Sequence, residues 1–157
     1  MNTAYGAPPL ALEPASEDDF EALLSLRLAA MRESLQRLGR FDPQRARERL
    51  SRAFEPAHTR HILLDGDRVG FVVVLPTHDQ LVLDHLYIAP QAQGRGVGSW
   101  VMAQVLADAD REVLPVRVTA LKLSDANRFY QRHGFVLQAE TEWDMHYLRP
   151  AQGDHHA

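Results

Sequence analysis

The chain contains no cysteine. That removes disulfides, thiolate zinc sites and a cysteine nucleophile together, so any group transfer is left to direct attack or to another side chain. There is no apolar run approaching the length of a membrane span, and a membrane is not an expected partner. No sign of charge dominates. The net charge is −4 with arginines and carboxylates interspersed, so no basic stripe follows a phosphate backbone and nucleic acid is a poor partner. The opening residues MNTAYGAPPLAL lack the charged start and apolar block of a secretory signal, which makes the cytoplasm the expected location. At 157 residues the chain suffices for one core and is short for two. A single domain over 10–150 is therefore expected, between loose tails at 1–9 and 151–157. The tail pair His155-His156 supplies too few ligands for a defined site, and no metal is expected.

What is present reads as an α/β (α+β) pattern. Leu10 to Leu12 form a weak first strand, and Ser16 is a plausible N-cap followed by Asp18 and Asp19 in a first helical turn. Phe20, Leu24, Leu28, Met31, Leu35 and Leu38 recur at three- and four-residue spacing, which predicts one long amphipathic helix capped by Gly39. Asp42-Pro43 starts a second helix reaching about Phe54. From His61 the period changes to strands: HILL and RVGFVVVL around the tight-turn pair Asp65-Gly66, then LVLDHLYIAP, an antiparallel meander. A helix over 99–110, a strand at VRVTAL, a helix over 124–132 and strands over 135–139 and 143–148 complete the order.

The densest local signal is Gln93-Gly94-Arg95-Gly96-Val97-Gly98, which joins the strand ending LYIAP directly to a helix. Several backbone N–H groups then converge at a helix N-terminus with few Cβ atoms obstructing approach, a geometry suited to phosphate. Three glycines also serve a plain strand-to-helix turn. The segment is not a P-loop, since no Gly-Lys-Ser/Thr follows, and the meander before it is not the start of a dinucleotide-binding βαβ unit.

The pattern Gln93-x-x-Gly96-x-Gly98 after Ile88-Ala89-Pro90 resembles the acetyl-CoA signature of the GNAT superfamily of acyl-CoA N-acyltransferases. Downstream, Ser124-Asp125-Ala126-Asn127-Arg128-Phe129-Tyr130-Gln131-Arg132-His133-Gly134-Phe135 is similar to that family's second motif, a helix carrying a tyrosine and ending in Gly-Phe. The resemblance implies a mixed, mostly antiparallel sheet of about seven strands, splayed between the fourth and fifth and flanked by about four helices. It implies acetyl-CoA as acyl donor, with the pyrophosphate on Gln93, Gly94, Arg95, Gly96, Val97, Gly98 and Ser99 and the pantetheine arm on the backbone of Tyr87 and Ile88. Many relatives have asparagine where this chain has Ser124, and Asn127 is the nearby side chain that could replace that contact. Tyr130 matches the family's tyrosine beside the CoA sulfur, where its O–H would protonate the departing thiolate; its ring also suits packing beside Phe129.

The proton acceptor is less plainly written. Relatives place a glutamate on the fourth strand, where this chain has Tyr87, or on the fifth, where Val118-Thr119-Ala120 offers no carboxylate. His85 is the candidate that shares a face with Tyr87, with Asp84 on the other; water, or an amine that binds already neutral, serves equally. In this architecture the acceptor pocket forms from the first two helices and the final hairpin, which selects Arg32, Glu33, Trp143, Asp144 and His146, residues that also read as solvated faces or core caps. The expected function is an N-acetyltransferase acting on a small-molecule or peptide amine. Set against it are an acyl-CoA-binding regulatory or scaffold domain without turnover and an ordinary α/β ligand-binding domain. A homodimer stays open.

Overall fold

The computed structural model describes residues 9–153. The expected tails fall mostly outside those residues, as do His155 and His156. The elements are β1 (Leu10–Pro14), α1 (Phe20–Arg37), α2 (Pro43–Ala53), β2 (Thr59–Leu64), β3 (Asp67–Pro76), β4 (Leu81–Ile88), α3 (Val97–Arg111), β5 (Val116–Leu121), α4 (Ala126–Arg132), β6 (Val136–Glu140) and β7 (Asp144–Arg149). All seven strands join one sheet in the order β1-β2-β3-β4-β5-β7-β6. Only β4 and β5 run parallel; the other neighbours are antiparallel. No helix among the described residues is long and apolar enough to cross a membrane.

The run Phe71-Val72-Val73 explains why β3 sits centrally. Val72 packs with Leu83, Val101, Met102, Val105 and Val118 on the α3 face, while Phe71 and Val73 pack with Leu23, Leu24, Ala46 and Leu50 on the α1–α2 face. A strand covered on both faces carries no polar alternation. Helix boundaries follow local hydrogen bonds. Ser16 precedes a short 3-10 turn, Glu17–Asp19, and its N–H donates to Asp19 Oδ2 at 2.8 Å before α1 begins. At the other end of α1, the Arg40 N–H donates to the Leu35 carbonyl and the Gly39 N–H to that of Gln36, a Schellman closure. Asp42 Oδ1 accepts from the N–H groups of Gln44 and Arg45 and caps α2.

Several boundaries differ from the sequence expectation by one or two residues, and three have a local cause. α3 starts at Val97 rather than 99, because Gly96 already accepts the first helical bond, from Trp100. α4 starts at Ala126 rather than 124, because Ser124 Oγ donates to the Leu121 carbonyl in the entering turn. β7 starts at Asp144, since the Trp143 carbonyl accepts from the Lys122 N–H outside the ladder.

Two irregularities in β4 shape everything that follows. Val73 lies opposite His85 and Val74 opposite Leu83, so Asp84 is an extra, bulged residue. Simple alternation would put Leu81, Leu83, His85 and Tyr87 on one face. With the bulge, Leu81 and Leu83 join the α3-side core, whereas Tyr87 packs with the α1–α2 cluster and His85 beside it. Pairing with β5 is also brief: Leu81↔Val116, Val82↔Arg117 and Leu83↔Val118, after which the two strands diverge.

Candidate active site

The divergence of β4 from β5 opens a groove of about 600 Å³. Its floor is Leu86, Tyr87 and Ile88; its walls are the glycine turn, the β5–α4 segment from Leu121 to Ala126, and Ala30, Glu33 and Ser34 of α1. Gln93, Gly94, Gly96, Val97, Gly98, Ser99 and Tyr130 all line it, as the motifs imply. Arg95 and Asn127 do not. Asn127 is committed to the fold instead: its Nδ2 donates to the Leu121 and Ser124 carbonyls, and its Oδ1 accepts from the Tyr147 hydroxyl at 2.8 Å. In place of the expected cofactor contact, that side chain ties α4 to β5 and β7.

The turn is built for backbone approach. Gly94 and Gly96 have φ of +76° and +81°, a region that costs an L side chain roughly 1–2 kcal/mol, and a Cβ at either would meet nothing within 4 Å. Gly96 immediately precedes the 15-residue α3, so the unpaired N–H groups and positive dipole end of that helix open on the groove. Gln93 Nε2 donates to the Ile88 carbonyl at 2.9 Å and anchors the turn to the strand end. Gly98 does something else: a Cβ there would sit 3.4 Å from the Phe129 ring, so it lets α3 and α4 pack closely.

The β4 backbone divides its work by alternation. The Ala89 N–H donates to Val69 on β3 at 2.7 Å, and a Cβ on Gly70 would lie 2.3 Å from the Tyr87 carbonyl oxygen, so Tyr87 also turns its backbone to β3. Leu86 and Ile88 therefore direct theirs to the gap beside β5. Leu86 and Ile88, rather than Tyr87, thus face the gap in which the resemblance implies a pantetheine arm, and the Ile88 carbonyl already accepts from Gln93 Nε2.

Tyr130 is 6% exposed and packs against Phe129, Phe135 and Tyr147, yet its residue forms part of the groove wall. Burial, with Tyr87 nearby, pushes its phenol well above the ordinary value. It therefore stays protonated throughout the neutral range, with its O–H free to donate.

A second cavity, of about 110 Å³, adjoins the groove and shares Met31, Tyr87 and Leu121 with it. The rest of its wall is mostly charged: Arg27, Arg40, Asp42, Arg45, Arg49 and Asp144. Of the residues expected at an acceptor pocket, Asp144 is here. Glu33 lines the groove instead. Arg32 lies over Phe41, 4.4 Å from the ring centroid, and Trp143 is covered by Arg40 at 4.5 Å; neither lines the groove or this cavity. His146 is engaged with Thr119, Nδ1 to Oγ1 at 2.9 Å.

His85 is 2% exposed and lines neither cavity. Its Nδ1 lies 3.4 Å from the Tyr87 hydroxyl, and Arg27 Nε donates weakly to the same oxygen at 3.4 Å. Nε2 is buried without a hydrogen bond; Asp84 Oδ2 is 3.3 Å away but off the donor direction. Burial, then the charges of Arg27 and Arg49, lower the imidazole pKa to about 3. A ring that weakly basic does not hold an ammonium proton at neutral pH, and its place under Tyr87 fits a positioning role better than a base.

The sequence model of the acetyltransferase (GNAT) domain matches residues 57–137, from the turn before β2 through the glycine turn and α4 into β6. The chain belongs to the GNAT acetyltransferase family. Solved structures share this fold over nearly the whole described chain. A paia N-acetyltransferase from Thermoplasma acidophilum, determined with coenzyme A, superposes with a TM-score of 0.67 at 14% identity, covering 90% of this chain and 98% of its own. Ard1 from Thermoplasma volcanium gives 0.69 at 20% identity, covering 93% and 100%. An acetyltransferase from Thermus thermophilus gives 0.70 at 19% identity, covering 91% and 97%. No curated protein matches the sequence. The GNAT assignment places this chain among acyltransferases, with the matched segment containing the whole glycine turn and Tyr130.

Proposed function

We propose that this GNAT protein is an acetyl-CoA-dependent N-acetyltransferase that holds the donor in the large groove and receives a primary amine through the small cavity. The observation that carries this reading is the shared wall: Tyr87, Met31 and Leu121 bound both spaces, so a thioester in one lies next to an amine in the other. The residues fit the donor. The Gly94–Gly96 turn and the start of α3 offer N–H groups to a pyrophosphate, and Leu86 and Ile88 offer backbone to an amide-bearing arm. The Thermoplasma acidophilum relative was determined with coenzyme A, which supports a CoA thioester as donor.

Acetyl-CoA supplies an acyl group already activated as a thioester. The amine nitrogen attacks the carbonyl carbon, a C–N bond forms and the C–S bond breaks. The free N–H at Ile88 or Leu86 is positioned to polarise the carbonyl oxygen. The buried Tyr130 O–H gives its proton to the leaving sulfur, and the proton lost by the nitrogen restores the phenol through water. An acceptor that arrives as ammonium first sheds one proton to solvent, so the sum is acetyl-CoA plus ammonium giving amide, CoA thiol and a released proton. His85, held near pKa 3, takes no part in that transfer. Release of CoA thiol across a panel of amines tests the proposal. Acetyl-CoA binding without release for any amine would favour a non-catalytic acyl-CoA-binding domain.

A further inference from the structure

The small cavity contains more positive charge than its wall neutralises. Four arginines line it against two carboxylates, and none of the four takes part in an ion pair among the described residues. Asp42 spends its carboxylate on the start of α2, and Asp144 makes no ion pair there either. Arg27 is the most telling. It is 6% exposed, its Nε reaches only the Tyr87 hydroxyl, and its guanidinium carbon lies 5.5 Å from the Tyr87 ring centroid. No counter-ion among the described residues meets it, although a guanidinium cannot lose its charge and a buried unpaired cation is costly. Elsewhere the fold supplies partners for such groups: Arg149, with 13% of its side chain exposed, is held by Asp110 at 2.8 Å. The charge at Arg27 is thus a standing attraction for an anion that enters from outside the chain.

We infer that the acceptor is a small primary amine carrying an oxyanion, with the anion seated on Arg27, Arg45 and Arg49 and the amine directed to the shared wall at Tyr87. The inference builds on the proposed acetyl transfer and narrows its acceptor. A planar guanidinium fork matches a carboxylate or a phosphonate in two parallel hydrogen bonds. The cavity, at about 110 Å³ beside a groove of about 600 Å³, takes a small molecule rather than a length of polypeptide. The negative wall at Asp144 lies in the same cavity and favours the ammonium form of the other end. Tyr87, touched by Arg27 and His85, is the hinge between the two spaces: its orientation fixes how far the amine projects into the groove.

The test is CoA release at saturating acetyl-CoA for glycine and its longer ω-amino homologues, the matched aminophosphonates, and the matched amino amides and alkylamines. The oxyanion-bearing members, of one class or both, should exceed the neutral ones in kcat/KM by on the order of 10- to 100-fold, as charge-assisted hydrogen bonds would give, chiefly through KM. The carboxylate and phosphonate arms identify which oxyanion is preferred. Arg45→Gln and Arg49→Gln lie at exposed helical positions and should lose that preference while leaving calorimetric acetyl-CoA affinity unchanged; Arg27→Met should lose it most. Neutral amines turned over as well as anionic ones would overturn the inference and leave the proposed function standing. If no amine releases CoA, titration of the same amino carboxylates and aminophosphonates into the CoA-loaded protein decides separately: binding that Arg45→Gln abolishes upholds the anion site, and no binding overturns it.

Discussion

The groove and the cavity both border Tyr87 and are built from different parts of the chain. The groove presents backbone: glycines at φ of +76° and +81°, the first turn of α3, and the edge of β4 where it leaves β5. The cavity wall is one of side chains, four arginines and two carboxylates drawn from α1, α2, the loop between them and β7. Backbone recognition tolerates almost any sequence that keeps the turn, whereas charged walls change with single substitutions. One donor shared by a family and acceptors that differ among its members are what such a division allows.

Substitutions can break that division in a graded way. Gly96→Glu should be the most severe, because it strains a left-handed position and places a carboxylate where the helix end attracts an anion. Acetyl-CoA affinity should fall by at least about 100-fold by calorimetry, well over the roughly 1–2 kcal/mol of backbone strain alone. Tyr130→Phe comes next: kcat should drop by about 100-fold, the usual worth of a positioned acid, with acetyl-CoA affinity within about 2-fold of the parent. Equal rates in the two proteins would remove Tyr130 from the mechanism.

The pH dependence sharpens the same contrast. The His85 pKa is lowered to about 3 and the Tyr130 phenol is raised, so neither changes charge near neutrality. The rate should therefore rise with pH as the acceptor's own ammonium ionises, and fall only above the ordinary range of a phenol. His85→Gln should leave the shape of that profile intact; an inflection near 6 to 7 that vanishes in His85→Gln would restore the histidine as base. The smallest effect lies outside both spaces. Asp19 accepts from His61 at 2.8 Å, and this bond, with the Ser16 N–H and Arg68, lowers its carboxyl from 3.8 to about 2. A depressed carboxyl stabilises the fold above its unfolded pKa, and that stabilisation is lost as pH falls through 3.8 towards 2. Asp19→Asn should lower the Tm at neutral pH, flatten that acid limb, and leave acetyl-CoA affinity unchanged.

The groove was legible in the sequence because its parts are contiguous: a strand, three glycines and a helix start within one stretch, then Tyr130 on the next helix. The meander and both early helices were legible for a similar reason, since period and capping are local. The Asp84 bulge left no mark, because a bulged strand has the same composition as a regular one; only pairing with Val73 and Val74 exposes it. The cavity was read only in part. Asp144, one of the residues the architecture selects, lines it, but Arg27 lies within the apolar stripe of α1, on the side of Met31 and Leu35. Residues 27, 31 and 35 are one helical turn apart and face the cavity together, whereas Arg32 and Glu33 lie further round the helix, on Phe41 and on the groove. An arginine in step with buried leucines was the signal available.

The most direct test of the central claim is to measure, in one reaction, CoA thiol released and amine acetylated, by thiol titration and mass spectrometry, for the wild-type protein and Gly96→Glu. The account predicts one acetylated amine per CoA released by the wild-type protein and neither product from Gly96→Glu. Acetyl-CoA bound tightly in the groove with no amine acetylated from the panel, or equal turnover by the two proteins, would contradict it.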